Sequence, residues 1–218
     1  MSIYLIRHGE TPMNRARTLQ TADTPLSDLG RRQAQALAER LRSDSIDALV
    51  ASDMARASQT AQIVSQTLGL PVVQSALLRE RNFGLWCGQT YEQVGFDPFD
   101  ESRDPPAGES AAQFRARVAQ ALAWVMTQRS GCTGPLAVIS HGLVIREFVR
   151  LASVEPDVQR RFGGLSAGQL ASHPALANTA VSIFSATMPL RLSLFACDAH
   201  LSSLGPSADP GPGAPAVA

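Results

Sequence analysis

Ile3-Tyr4-Leu5-Ile6-Arg7-His8-Gly9-Glu10-Thr11 is the stretch on which the reading of this chain turns. Four consecutive apolar residues, two of them β-branched, are too short for a helix and read as a buried strand. The strand runs without a spacer into an arginine, a histidine and a glycine. In open α/β sheets, ligands bind beyond the carboxyl ends of the strands, so a basic pair at that place is a candidate site. The site exists only if the remaining segments of the chain build such a sheet.

Working outward, short apolar runs alternate with longer amphipathic ones. Ser27 is placed to cap a helix in which Leu29 leads into Ala34, Leu37, Ala38 and Leu41 at helical spacing. Ala48-Leu49-Val50 reads as a second strand. A helix from about Met54 to Leu68 comes next, stopped by Gly69 and Pro71, with Pro71 to Val73 as a short third strand. Ser110 caps a helix with Phe114, Val118, Ala121, Leu122, Val125 and Met126 on one face. Leu136 to Ile139 is another buried strand, and Leu143 to Leu151 another helix. Val181–Phe184 and Leu190–Phe195, separated by Met188-Pro189, read as a terminal hairpin. The expected fold class is α/β: a three-layer α/β/α sandwich around a mainly parallel central sheet, with an antiparallel contribution near the end.

The expected organisation is one domain over residues 1–204, with an irregular cap or lid over about 84–108 and a disordered Gly/Pro/Ala-rich tail over 205–218. The cap segment contains Phe83, Trp86, Tyr91, Phe96 and Phe99 at its edge and within it. These aromatics are read either as a partly apolar wall for a ligand or as the core of the cap itself. No internal repeat is found.

Composition removes several function classes. The chain has 218 residues, 44% hydrophobic and 17% charged, enough for one substantial domain. Nineteen cationic residues balance nineteen acidic ones, so no general affinity for nucleic acid or an anionic membrane is expected. All nineteen cations are arginine, which excludes a Schiff-base lysine and a P-loop lysine. Three scattered cysteines, Cys87, Cys132 and Cys197, make no CxxC pair and no disulfide framework. No signal peptide or membrane span is read, and a cytoplasmic location is expected. His8 and Glu10 form an H-x-E, but the Pro-Cys-x-x-Cys partner of a zinc deaminase is lacking. Gln93, Val138 and Ser203 stand where a C-x₅-R cysteine phosphatase would need arginine, and there is no G-x-S-x-G.

The strand ends carry a repeated pattern. The first leads into Arg7-His8-Gly9, the second through Ser52-Asp53 to Arg56, and the strand before residue 140 into Ser140-His141-Gly142. Two histidines and two arginines are thereby expected in one crevice with helix N-termini aimed at it, an arrangement suited to phosphate.

Leu5-Ile6-Arg7-His8-Gly9-Glu10-Thr11 resembles the signature of the histidine phosphatase superfamily, in its phosphoglycerate mutase-like branch. Asn14, Gln20, Asp23-Thr24-Pro25-Leu26-Ser27, Ser52-Asp53-Met54-Ala55-Arg56, Leu78-Arg79-Glu80, Gly108-Glu109-Ser110, Ser140-His141-Gly142, Asn178 and Asp198-Ala199-His200-Leu201 continue the pattern, over roughly residues 3 to 201. The resemblance implies a phosphoglycerate mutase-like fold and a metal-independent phosphomonoester hydrolase that needs no metal and no cofactor. His8 is the implied nucleophile, passing through a phosphohistidine. Glu80 is the implied proton donor and acceptor, and Arg7, Arg56 and His141 the phosphoryl-binding groups. Asn14, Gln20, Thr21 and Gly142 are implied as further substrate or phosphate contacts. Glu10 and Thr11 are expected to support the loop, His200 to border the pocket or support structure, and His173 to be ordinary surface. The implied partner is a small phosphorylated metabolite, with no nucleic acid and no membrane; a homodimer is left open. Cofactor-dependent phosphoglycerate mutase chemistry and a non-catalytic phospholigand-binding protein are the alternatives. Only Arg103 is cationic between Gly84 and Ser110, little positive charge for a second phosphate, which favours hydrolysis. Thr21 and Cys87 depart from the residues similar proteins often carry there, glycine and glutamate.

Overall fold

In the computed structural model, residues 2–172 and 176–204 are described; the tail and His173 lie outside them. The order of elements is β1 (Ser2–Arg7), α1 (Pro12–Arg15), α2 (Asp28–Ser43), β2 (Ala48–Ser52), α3 (Ala55–Leu68), β3 (Val72–Ser75), α4 (Tyr91–Val94), α5 (Ala111–Ser130), β4 (Leu136–Ser140), α6 (Gly142–Leu151), β5 (Ser153–Val154), α7 (Pro156–Arg161), α8 (Ala167–Ala171), β6 (Val181–Ser185) and β7 (Arg191–Cys197). The seven strands form one sheet in the order β3-β2-β4-β1-β6-β7-β5. Every neighbouring pair is parallel except β1–β6 and β6–β7, so β6 alone runs against the others. The antiparallel contribution near the end is this strand.

Strand alternation produces the layers. Successive side chains point to opposite faces, so β1 sends Ile3 and Leu5 one way and Ile6 the other. β4 divides likewise, Leu136 and Val138 from Ala137 and Ile139. On one face Phe114, Val118 and Val125 of α5 pack with Val144 and Phe148 of α6. On the other, Leu37 and Leu41 of α2 pack with Ala57, Ala61 and Val64 of α3. Each fully buried side chain of leucine or phenylalanine size contributes about 1.5–3 kcal/mol relative to exposure. The result is an α/β/α sandwich, as the alternating pattern predicts.

The caps anticipated from sequence form, and one of them matters for the site. Ser27 Oγ accepts the N–H of Gly30 at 3.0 Å and donates its own proton to Glu10 Oε1 at 2.9 Å. The first turn of α2 is thereby tied to the loop after β1. A Cβ on Gly30 would stand 2.0 Å from the Glu10 carbonyl oxygen, and one on Gly9 2.6 Å from the Gly30 carbonyl oxygen. Only glycine at both positions allows the two backbones to approach this closely.

The elements missed from sequence are α1, α4, α7, α8 and the two-residue β5. None is long enough to display a period. The cap segment expected as irregular begins in a 3₁₀ turn at Gly84–Trp86 and includes α4. Its two ends meet: Leu85 N–H donates to Pro106 O at 2.9 Å, and Gly84 takes φ +51° there with no room for a Cβ, which would lie 2.1 Å from Pro106 O.

Candidate active site

β2, β4 and β1 are adjacent and parallel, and their register pairs Arg7 with Ser140 and Ala51 with Ile139. Their carboxyl ends are therefore level, which brings Arg7-His8, Ser52 and Ser140-His141 to one edge of the sheet. The His8 N–H continues the ladder onto Ser140 O at 2.9 Å. A cavity of about 40 Å³ opens at this edge; Arg7, His8, Asn14, Gln20, Arg56, Glu80 and Gly142 are in its lining, with Phe83, Tyr91 and Phe99 from the cap side. His141 is wholly buried and packs beside His8, ring centroids 5.2 Å apart.

The hydrogen bonds assign the His8 tautomer. Nδ1 lies 2.7 Å from Gly9 O, which can only accept, so Nδ1 carries the proton. Nε2 is then the unprotonated nitrogen, and it accepts from Arg56 Nε–H at 3.2 Å. Burial, and then the positive charges of Arg56 and Arg7, hold the imidazole well below its ordinary pKa, against the pull of the Gly9 carbonyl. Neutral His8 therefore presents a lone pair in a cationic setting.

Arg56 sits on the first turn of α3, where its N–H groups also reach Thr21 O at 2.9 Å. Burial lowers its pKa to about 10, opposed chiefly by Glu80, and it remains charged at neutral pH. Thr60 on the next turn accepts the Gly9 N–H at 3.1 Å, so α3 also holds the loop after β1. Arg7 donates to Leu176 O at 2.8 Å. His141 Nε2 lies 2.9 Å from Ser52 Oγ, while its buried Nδ1 has no partner among the described residues. Burial, with Arg56 next, keeps this ring too well below the ordinary histidine pKa.

Glu80 is held by backbone. Its Oε1 accepts from Arg81 N–H at 3.0 Å and its Oε2 from Leu143 N–H at 3.1 Å, in the first turn of α6. His141, the N-cap of that helix, makes no side-chain cap, so the carboxylate supplies one. Burial nonetheless raises the Glu80 pKa, outweighing the two N–H donors, Arg56 and Arg117. The neighbouring Arg79 pairs with Asp53.

The weaker candidates divide. Asn14 and Gln20 line the cavity, Asn14 also closing a capping box with Thr11. The Thr21 hydroxyl is committed to Asp23 and Thr24, and its contribution is the carbonyl that steadies Arg56. Glu10 is fully buried and bonds Ser27 and Arg15, and Thr11 caps α1; neither is among the residues lining the cavity. His200 lies behind the site, where Nδ1 meets Arg40 at 3.2 Å and Nε2 meets Thr179 Oγ1 at 3.1 Å. Thr179 (φ +57°) directs its N–H at the carbonyls of Arg7 and His8, and Asn178 Nδ2 donates to His8 O at 3.0 Å. Sequence reasoning missed this clamp on the His8 backbone apart from Asn178 itself; its signal is tertiary, since it joins residues some 170 positions apart.

Comparison with known proteins agrees with this geometry. A family model of the histidine phosphatase superfamily (branch 1) matches residues 3–184. The chain is 33% identical over 172 residues to a probable phosphoglycerate mutase GpmB of Yersinia enterocolitica, covering 74% of this chain and 79% of that one. Among solved structures, a mycobacterial glucosyl-3-phosphoglycerate phosphatase complexed with VO3 superposes with TM-score 0.72 at 26% identity, covering 90% of this chain and 99% of that one. Bacillus stearothermophilus YhfR gives TM-score 0.73 at 26% identity, covering 92% and 99%. The chain belongs to the histidine phosphatase superfamily, and its fold is the phosphoglycerate mutase-like one.

Proposed function

We propose that this protein is a phosphomonoester hydrolase that transfers the phosphoryl group of a small metabolite to His8 Nε2 and then to water. The observation that carries the reading is the His8 tautomer: a neutral ring whose Nδ1–H is tied to Gly9 O leaves Nε2 as a directed nucleophile between two arginines. Phosphoryl transfer is governed by positioning and charge neutralisation, and Arg7 and Arg56 supply forked donors for the non-bridging oxygens. His141 Nδ1, buried beside His8 without a partner among the described residues, is a further donor for them in its protonated tautomer.

In the first step the Nε2 lone pair forms the N–P bond as the ester P–O bond breaks. Arg56 shifts its N–H from Nε2 to the phosphoryl oxygens. Glu80, whose pKa burial raises, gives its proton to the departing alkoxide. In the second step the resulting carboxylate takes a proton from water, whose oxygen attacks phosphorus and releases His8. The sum is ester plus water giving alcohol plus phosphate.

The test is hydrolysis of p-nitrophenyl phosphate with chelator present, comparing the wild type with His8→Ala. Activity should survive chelation and vanish in the variant, and acid-quenched wild type should carry acid-labile phosphate on His8. Persistence in His8→Ala refutes the assignment. The relatives named as probable mutases support a second reading, return of the phosphoryl group to substrate. Interconversion of phosphoglycerates without hydrolysis of any ester would select it.

A further inference from the structure

Beside the phosphoryl cavity lies a second and much larger one of about 600 Å³, the size of small-molecule pockets generally. The two share Gln20, Glu80, Arg81 and Phe83. If Glu80 protonates the leaving oxygen, as proposed above, the remainder of the substrate extends into this larger space. Three arginines line it, and at first sight it invites a second anion.

Each of the three is already compensated. Arg79 holds Asp53 in a two-point pair at 2.7 and 2.6 Å. Arg117 does the same with Glu109 at 2.8 and 2.7 Å, and spends its other nitrogen on the carbonyls of Leu77 and Arg79. Arg81, its side chain only 3% exposed, is taken up by Glu109 O, Arg103 O and Asp104. Glu80, the proton donor of the proposed first step, adds no positive charge to the wall. A carboxylate or phosphate entering here would lose hydration and meet no uncompensated cation among these arginines, and that cost goes unrepaid. Uncharged donors are available instead. Asn82 and Gln113 have their side-chain oxygens occupied by the N–H groups of Gly84 and Ser110, and Gln20 accepts from Thr11. Their amide N–H₂ groups have no partner among the described residues and suit hydroxyl oxygens.

We infer that the substrate is the phosphomonoester of an uncharged, polyhydroxylated alcohol of sugar or polyol type, and that a second anionic group on the leaving group is selected against. This inference rests on the phosphoryl site proposed above, and it departs from the phosphoglycerate-type substrates named for the Yersinia enterocolitica and mycobacterial relatives.

A matched pair of esters tests it. Glucitol 6-phosphate and 6-phosphogluconate share an open six-carbon chain and differ at C1, a CH₂OH in one and a carboxylate in the other. Calorimetric titration of full-length His8→Ala protein should find glucitol 6-phosphate bound about tenfold tighter or more. Adding Asp53→Asn releases Arg79, and the gap should narrow several-fold; adding Arg79→Gln instead leaves Asp53 uncompensated, and the gap should widen. Should the Asp53 variant fail to fold, the Arg79 variant still decides. Equal binding, preference for the gluconate, a gap that neither change moves, or no binding of either ester overturns the inference. Hydrolysis is measured separately on the wild type. A silent wild type with the binding preference intact defeats the hydrolase reading and spares this one; active hydrolysis without the preference does the reverse.

Discussion

Around His8, most of the polar contacts join a side chain to backbone. Gly9 O takes His8 Nδ1–H, Thr21 O takes Arg56, Arg81 and Leu143 N–H groups hold Glu80, and Asn178 holds His8 O. Across the cap, contacts are ring to ring and guanidinium over ring. Phe99 meets Phe83 and Tyr91 edge-on at 5.8 and 5.3 Å, Trp86 meets Phe96 at 5.1 Å, and Arg103 lies 4.7 Å over Phe96. Backbone-directed hydrogen bonds fix a side chain in direction as well as place, whereas aromatic contacts of about 0.5–1.5 kcal/mol tolerate sliding. The side chains of this cradle around His8 are therefore held in direction, and the aromatics of the cap are freer to shift. Both expectations for the cap aromatics hold in part: Phe83, Tyr91 and Phe99 line the cavity, and Trp86 and Phe96 pack on each other.

If this division is right, changes in the cradle should strike turnover and changes in the cap should strike affinity. The largest effect is expected from Glu80→Gln, which keeps the shape and removes the proton. With an alkyl phosphate kcat should fall about 10²- to 10⁴-fold, and far less with p-nitrophenyl phosphate, whose leaving group needs little protonation. The same variant should flatten the alkaline limb of the wild-type pH profile, because the wild type should lose activity as pH rises through the elevated Glu80 pKa. Equal loss on both esters would remove Glu80 as the acid.

Gly30→Ala touches no ligand, yet its Cβ would press the Glu10 carbonyl and push the nucleophile loop away. We expect about 1–3 kcal/mol of lost stability in denaturant melts, with a lower kcat in whatever remains folded. An unchanged kcat would mean that the loop repositions itself without help from α2.

Acid should weaken the cradle in particular. His8 and His141 are held below their ordinary pKa, as is His200, at about 4, chiefly by burial and then Arg40. Below about pH 6.5 the unfolded chain takes up protons that the folded one refuses, so stability falls as pH drops. Glu80, with its raised pKa, works in the opposite sense over the range that begins at its unfolded value and runs upward. The melting temperature should decline between pH 7 and 5, and the decline should shrink in His200→Gln. A flat profile would show the rings protonate freely in place.

The smallest effect belongs to the cap. Phe99→Leu should raise KM a few-fold and leave kcat nearly untouched in steady-state assays. A tenfold drop in kcat would erase the distinction between the two regions.

Much of this molecule was legible along the chain because it rests on local chemistry. Alternating apolar runs, Ser27 and Ser110 as caps, and Gly69 as a stop specify elements through neighbours a few residues away. The placement of Arg7-His8 and Ser140-His141 directly after buried strands predicted their meeting, since parallel neighbours have level ends. Tertiary structure alone decided the rest. It set Arg56 against His8 Nε2 across 48 positions and capped α6 with Glu80 across 63 positions. It also clamped the His8 backbone from Asn178 and Thr179 and cancelled three arginines against Asp53, Asp104 and Glu109. A residue's charge is written in the sequence, but whether that charge is free to bind a ligand depends on which partner the fold brings within hydrogen-bonding distance.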